Sequence, residues 1–330
     1  MQMRAARYRG AGGTEVIVFD DVAMPVPGSR EILVRVRAAG LNRADILQRA
    51  GHYPAPPGWP ADIPGMEYAG VVEQTGADVQ RWRPGDRVMG LVGGGAHARY
   101  VVVHEEEALP IPAQLDDASA AAIPEAFLTG WDALVYRARL SRSERVLLHS
   151  VASGVGTATV QLCRLLGIVA IGTSRSADKL ARLQAFGLAQ GIDTRTHSFR
   201  EALREPVHAV IDTLGGPVFP DNLAVLLPRG RLVILGFLLG SKTEADLAMV
   251  LRKRLEIIGT TMRARTLEER IPLLREFEAK VLPHFVPRAP GEEPELKPVV
   301  DRVIPMTALA QAHDAMERNE TFGKVVLVWE

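Results

Sequence analysis

The sequence predicts an α/β protein in which a doubly wound parallel-sheet domain is inserted into a β-rich domain. Three observations carry that expectation. From about Pro124 to Arg263 strand-like runs alternate with helix-like runs, the pattern of a parallel sheet covered by helices. Before that stretch the runs are short, alternating and punctuated by turns, and after it the chain returns to strands. Length agrees, since the chain has 330 residues and a single core stops growing near roughly 250–300. The expected division is residues 1–123 with 264–330 in one domain and 124–263 in the other.

In chain order, Glu31-Ile-Leu-Val-Arg-Val-Arg37 alternates, Tyr68-Ala-Gly-Val-Val-Glu73 follows, and Pro84-Gly-Asp-Arg-Val-Met89 sets a turn before a strand. Between them, Asn42 to Gln48 suits one or two helical turns, while 51–60 is too rich in proline for regular structure. The inserted region supplies strand 145–149, helix 155–166, strand 168–173, helix 177–186, and strands 209–212, 231–236 and 255–259. Leu267, Ile271, Leu274 and Phe277 mark one face of a helix over 267–281. Strand 299–304, helix 308–317 and strand Lys324-Val-Val-Leu-Val328 close the chain.

Lys and Arg together number 39, as do Asp and Glu. That balance, with no clusters of basic and aromatic residues, argues against nucleic acid and favours a small ligand. The one cysteine, Cys163, supports neither an intramolecular disulfide nor a cysteine-rich metal site. No apolar signal core follows the N-terminus, and the longest apolar stretch, near Leu232 to Leu239, is too short to span a bilayer. A cytoplasmic protein without a membrane partner is expected.

His149-Ser-Val-Ala-Ser-Gly-Val-Gly156 joins a strand to a helix. Small residues there let the backbone approach a pyrophosphate, which the helix N-terminus favours. A strict G-x-G-x-x-G would need glycine at 151, 153 and 156; the chain has Val151, Ser153 and Gly156, with an extra Gly154. The next strand ends in Ser174, Arg175, Ser176 and Lys179, with no acid before Asp178. An acid there would suit the ribose hydroxyls of NAD; hydroxyls and positive charge suit the 2′-phosphate of NADPH. A solvated helix start is the alternative explanation of the same residues.

Six segments in order give the chain its resemblance to a family: Gly40-Leu-Asn-Arg-Ala-Asp-Ile-Leu-Gln-Arg-Ala-Gly-His-Tyr53, Pro64-Gly-Met-Glu-Tyr-Ala-Gly70, Pro124-Glu-Ala-Phe-Leu-Thr-Gly-Trp-Asp132, Ser153-Gly-Val-Gly-Thr-Ala158, Ile211-Asp-Thr-Leu-Gly-Gly216 and Phe322-Gly-Lys-Val-Val-Leu327. Over almost its whole length it resembles the medium-chain dehydrogenase/reductases, and within them the zinc-independent quinone oxidoreductases related to zeta-crystallin. Asn-Arg-Ala-Asp45, the Ser-Gly-Val-Gly156 turn and Leu-Pro-His-Phe285 are most similar to the branch containing the tumour-suppressor-inducible quinone reductase of animals.

The resemblance implies a Rossmann domain inserted in a GroES-like domain, with NADPH in a cleft between them and a homodimer as the assembly. It places Asn42, Asp45 and Tyr53 on the nicotinamide side, where Tyr53 would bond a quinone oxygen or relay a proton; packing against the neighbouring prolines is the other explanation of Tyr53. Thr129 would contact the nicotinamide, Ser153, Gly154, Val155 and Gly156 the pyrophosphate, and Gly236 and Phe237 the nicotinamide ribose. Phe322, Gly323 and Lys324 would lie at the cleft edge, and Thr194 stands where a tyrosine of the animal branch helps bind adenosine. Arg263 and Arg265 match a family pattern beside the cleft, as surface arginines also would. Zinc-dependent relatives carry a cysteine where Asn42 stands and a histidine where Met66 stands, so no metal is expected. Hydride transfer to an electron-poor quinone fits a metal-free site. An enone, 2-alkenal or enoyl-thioester reductase and a non-catalytic NADPH-binding structural or sensing protein are the competing readings.

Overall fold

The computed structural model describes residues 1–329. Its chain divides into two compact units, one formed by Met1–Leu128 with the stretch from Met262 onward and the other by Thr129–Thr261. The strands in chain order are β1 Gln2–Tyr8, β2 Ile17–Ala23, β3 Glu31–Leu41, β4 Glu67–Thr75, β5 Arg87–Leu91, β6 Tyr100–His104, β7 Ala108–Pro110, β8 Arg145–Leu148, β9 Val169–Ser174, β10 Leu188–Asp193, β11 Val207–Asp212, β12 Leu226–Ile234, β13 Glu256–Gly259, β14 Val300–Pro305 and β15 Lys324–Val328.

In the second unit all six strands run parallel in the order β10-β9-β8-β11-β12-β13. Counted from β8, this is 3-2-1-4-5-6, the doubly wound order of dinucleotide-binding sheets. Apolar runs on both faces explain its burial: Val146, Leu147, Ala209 and Val210 are wholly enclosed. The order reverses between β8 and β11, the point at whose carboxyl ends sheets of this order bind their ligands. β10, absent from the sequence-based expectation, has glycine and glutamine at its centre and exposed residues along it, so its period-2 apolar signal is weak. At the opposite edge, β13 leaves Ile257 42% exposed.

The first unit holds a seven-stranded sheet in the order β14-β15-β3-β4-β5-β7, with β6 also on β3, and the separate hairpin β1-β2. The eleven-residue β3 is the common partner of β4, β6 and β15. Its register shifts between Leu33 and Val34 and between Val36 and Ala38 bend it, as bulges do. The late strand β15 pairs antiparallel with the end of β3, Val325 opposite Leu41. Val34, Val36, Tyr68, Val88, Val325 and Leu327 fill the core. The helix Leu267–Lys280 buries Leu273, Leu274 and Phe277, whereas the expected Leu267 and Ile271 are half-buried, because Leu273 rather than Ile271 turns inward. Among the described residues no helix is long and apolar enough to cross a membrane.

Three imidazoles are enclosed, His97 and His313 in the first unit and His149 in the second. Burial holds all three below the ordinary imidazole range, His313 down to about 3. The folded protein therefore keeps them neutral, while an unfolded chain protonates them below about pH 6.5. Stability from this source is complete above that pH and is lost as pH falls, by up to about 1.4 kcal/mol per pH unit per histidine. The expected outcome is a falling melting temperature from pH 6.5 to 5 that is less steep in His313→Gln. A wild-type midpoint flat over this range would contradict it.

Candidate functional site

In the second unit the site begins where β8 ends. Ser150 adopts a left-handed φ of 52°, turning the chain sharply into the helix Gly154–Leu166. His149 N donates to Ile211 O at 3.1 Å and Val151 N to Thr173 O at 3.0 Å, so the turn is fastened to both neighbouring strands. Ser153 caps the helix, its Oγ accepting from Gly156 N at 3.1 Å. The N–H groups of Gly154 and Val155, in the first helical turn, have no acceptor within the helix and point at whatever occupies the turn. Gly156 allows the close packing, since a Cβ there would lie 2.3 Å from Val151 O. Gly172 does the same on β9, where a Cβ would meet the Val151 side chain at 2.7 Å. The missing glycines of the fingerprint are thus replaced by a serine cap and by glycines at the packing positions.

Ser174, Ser176, Lys179 and Thr194 come together at the end of β9. Ser176 N donates to Ser174 Oγ at 3.2 Å, Ser176 Oγ caps the helix Ala177–Gln184 by accepting from Lys179 N, and Thr194 N donates to Ser174 O at 2.9 Å. Arg175 beside them is exposed. Asp193 also lies here and was not singled out in the sequence; bonds from Arg195 hold its carboxyl below the usual range. Three hydroxyl side chains thus gather beside the exposed Arg175 and the helix start that carries Asp178 and Lys179, with the Asp193 carboxyl paired to Arg195.

A buried chain of side chains behind the turn also escaped the sequence. Thr173 Oγ1 meets His149 Nδ1 at 2.9 Å, His149 Nε2 meets Asn222 Oδ1 at 2.7 Å, and Asn222 Nδ2 donates to Asp212 Oδ2 at 3.1 Å. Because Asn222 gives its amide N–H to a carboxylate, its Oδ1 accepts, and the proton of His149 belongs on Nε2. Asp212 Oδ1 further accepts from Leu214 N at 2.7 Å. The network fixes the loop after β11, where Gly215 has φ +92°; Leu238 N donates to Thr213 O at 3.0 Å, tying in the segment after Gly236 and Phe237. Phe237 is 54% exposed there. Thr129, at the start of this unit, is buried.

The first unit gathers Asn42, Asp45, Glu67 and Lys324. Glu67 has no exposed surface; its Oε1 accepts from Asn42 Nδ2 at 2.9 Å and from Lys324 Nζ, and its Oε2 from Glu125 N at 2.9 Å. Asp45, equally buried, receives Asn42 N on one oxygen at 2.8 Å and Gly65 N on the other at 3.2 Å. It caps the helix Arg43–Arg49 and lacks the open face expected of a residue that touches a nicotinamide. Lys324 likewise turns its ammonium inward. Phe322 is buried with its N–H on Asp301, and Gly323 packs where a Cβ would lie 2.2 Å from Val299 O.

Tyr53 belongs to a neighbouring cluster organised by Arg263. This buried guanidinium donates to Gly93 O at 2.8 Å, to Tyr53 O at 3.1 Å and to Gln48 Oε1 at 2.7 Å, and lies over the Tyr53 ring at 5.1 Å. Burial pushes its pKa down, with Asp45 opposing, and an arginine keeps its charge. The proline-rich loop is therefore pinned at its start, and Trp59 further along it packs on Gly93, where a Cβ would meet the indole at 2.3 Å. Met66, Leu91, Val92, Glu125 and Met262 line a cavity beside Arg263. Among the described residues no three His, Cys, Asp or Glu side chains converge as a metal site.

Residues 28–113 match the alcohol dehydrogenase GroES-like domain and residues 154–277 the zinc-binding dehydrogenase domain. A quinone oxidoreductase of Pseudomonas aeruginosa is 34% identical over 75% of this chain and 77% of its own. Among solved structures, Escherichia coli quinone oxidoreductase complexed with NADPH superposes with a TM-score of 0.85 at 26% identity, covering 98% of this chain and 99% of that one. CurK enoyl reductase does so at 0.84 and 26%, with full coverage of both chains.

The turn geometry gives a direct test. Gly156→Ala forces the helix away from Val151 and weakens dinucleotide binding by about tenfold, roughly 1.4 kcal/mol, in a cofactor-fluorescence titration. Unchanged affinity would show that close approach at Gly156 is not needed.

Proposed function

Because the chain belongs to the quinone oxidoreductase family of the medium-chain dehydrogenase/reductases, and is a nicotinamide-dependent oxidoreductase, we propose that it reduces a quinone with NADPH and without a metal. The cofactor supplies a hydride, and the balance is quinone + NADPH + H⁺ giving hydroquinone + NADP⁺. One observation supports the phosphorylated cofactor above the others. The end of β9 gathers Ser174, Ser176 and Thr194 next to the exposed Arg175 and the helix start that carries Asp178 and Lys179, and Arg195 pairs with Asp193 beside them.

The protein's own part is to bind, orient and supply donors. Ser153, Gly154, Val155 and Gly156 would hold the pyrophosphate, Gly236 and Phe237 would adjoin the ribose, and Thr129 would orient the nicotinamide. Asn42 and Tyr53 offer hydrogen bonds to the acceptor oxygen, on which negative charge grows as the hydride arrives; Asp45 keeps the Asn42 segment in place. A quinone spreads that charge through its ring and needs no Lewis acid. The cation beside Asn42 and Glu67 is the ammonium of Lys324, which supports a metal-free reaction.

The likeness to CurK enoyl reductase favours a second reading, reduction of a conjugated enone or enoyl thioester. Oxidation of NADPH and NADH with ortho-quinones, para-quinones and enones, with a chelator present, separates the two. The expected result is full turnover of quinones with chelator; a preference for enones of more than about tenfold, or 1.4 kcal/mol in the barrier, would replace the first reading with the second. Loss of activity to the chelator would overturn the metal-free reaction. In Arg175→Ala/Lys179→Ala the KM for NADPH rises about tenfold or more, as loss of charge-assisted bonds predicts, and the KM for NADH stays put. Equal effects on both cofactors would sink the assignment of NADPH.

A further inference from the structure

We propose that Lys324 is a positioning residue: its buried ammonium fixes the carboxamide of Asn42 one way round, so that Asn42 can only donate, never accept, toward the acceptor oxygen. The proposal rests on the reading of Asn42 given above.

Lys324 Nζ is enclosed and spends its three N–H bonds on Leu41 O at 3.0 Å, Asn42 Oδ1 at 2.6 Å and Glu67 Oε1. Glu67 Oε1 also accepts from Asn42 Nδ2 at 2.9 Å. An ammonium can only donate and a carboxylate can only accept. The amide of Asn42 lies between one of each, which settles an orientation that is otherwise a two-fold choice. A flipped amide would set its NH₂ against an ammonium and its oxygen against a carboxylate, two repulsive contacts in a region of low dielectric.

The fixed amide has one N–H that is only weakly bonded. Its Nδ2 is satisfied by Glu67 with one proton, while the other reaches only Gly40 O at 3.4 Å, beyond the usual range of such bonds. Asn42 keeps 9% of its surface exposed, Lys324 4% and Glu67 none, so Asn42 is the most accessible residue of the three. The fold makes room for this arrangement, since a Cβ on Gly40 would sit 2.2 Å from Glu67 Oε1. It also delivers the lysine, because Val325 pairs with Leu41.

Lys324→Ala, supplied with n-propylammonium to replace the missing side-chain atoms and charge, tests the proposal. Expected are a fall in kcat for quinone of about tenfold or more, a dissociation constant for NADPH within about threefold of wild type, and recovery of kcat with propylammonium but not with propanol. Recovery with propanol would mean that Lys324 only fills space, and an unchanged kcat would overturn the proposal outright. Should the unpaired Glu67 prevent that variant from folding, Lys324→Met/Glu67→Gln keeps the volume and removes both charges. In it the melting temperature is expected to recover while the side-chain amide signals of Asn42 in ¹H–¹⁵N spectra shift and lose their slow exchange with water. Unchanged Asn42 signals in the double variant would overturn the proposal. That spectrum needs no turnover, so it separates failure of the orienting role from failure of the quinone assignment.

Discussion

A carboxylate taken wholly out of water must be compensated on every side, and the compensation of Glu67 organises the first unit. Its neighbours come from distant parts of the sequence: Asn42 from the end of β3, the backbone of Glu125 from the helix Pro124–Trp131, and Lys324 from the first residue of β15. None of these bonds is local, so each is a tertiary constraint. Removing one partner leaves a buried charge uncompensated, which costs far more than the pair contributes to stability. The position of Asn42, the absence of a side chain at Gly40 and the seating of β15 on β3 all answer to that single acid.

The second unit meets its constraint with backbone. Its strand order places a reversal beside β8, and the turn after β8 is fastened by main-chain bonds to strands on both sides. Phosphate recognition then needs helix geometry and close packing more than any set of charged side chains. Side chains enter at two places, in the buried chain from Thr173 to Asp212 and in the hydroxyl and basic cluster past β9. The first ties β8 and β9 to the loop after β11, and the second is where we propose that the phosphorylated cofactor is told from the other.

The legible part of the sequence was the part governed by period and punctuation. The alternation of strands and helices from β8 to β13 gave the α/β class, and turn residues located β3, β4 and β5. The strand-to-helix junctions at Ser153 and at Ser174 to Lys179 were readable because both are local. Where apolar period is weak the reading failed, as at β10 and in the hairpin β1-β2, whose second strand is half exposed. Long-range polar pairing left no trace in spacing. Nothing near Lys324 announces Glu67, 257 residues away, and nothing near His149 announces Asn222. Asp45 shows the same limit in reverse: an acid in a family motif reads as chemistry, while its two backbone partners make it a helix cap.

The seating of β15 bears on how the chain matures as it is synthesised. Domains fold as units while the ribosome extends the chain, and Thr129–Thr261 is continuous, so its sheet can close as soon as it has emerged. The first unit cannot follow that order, because β3 waits for a neighbour made almost three hundred residues later. Until then Glu67 lacks its counter-ion and one side of β3 lacks its strand, an edge open to mispairing with other chains. The first unit is therefore expected to lag the second during synthesis, until β15 has been made and can pair with β3.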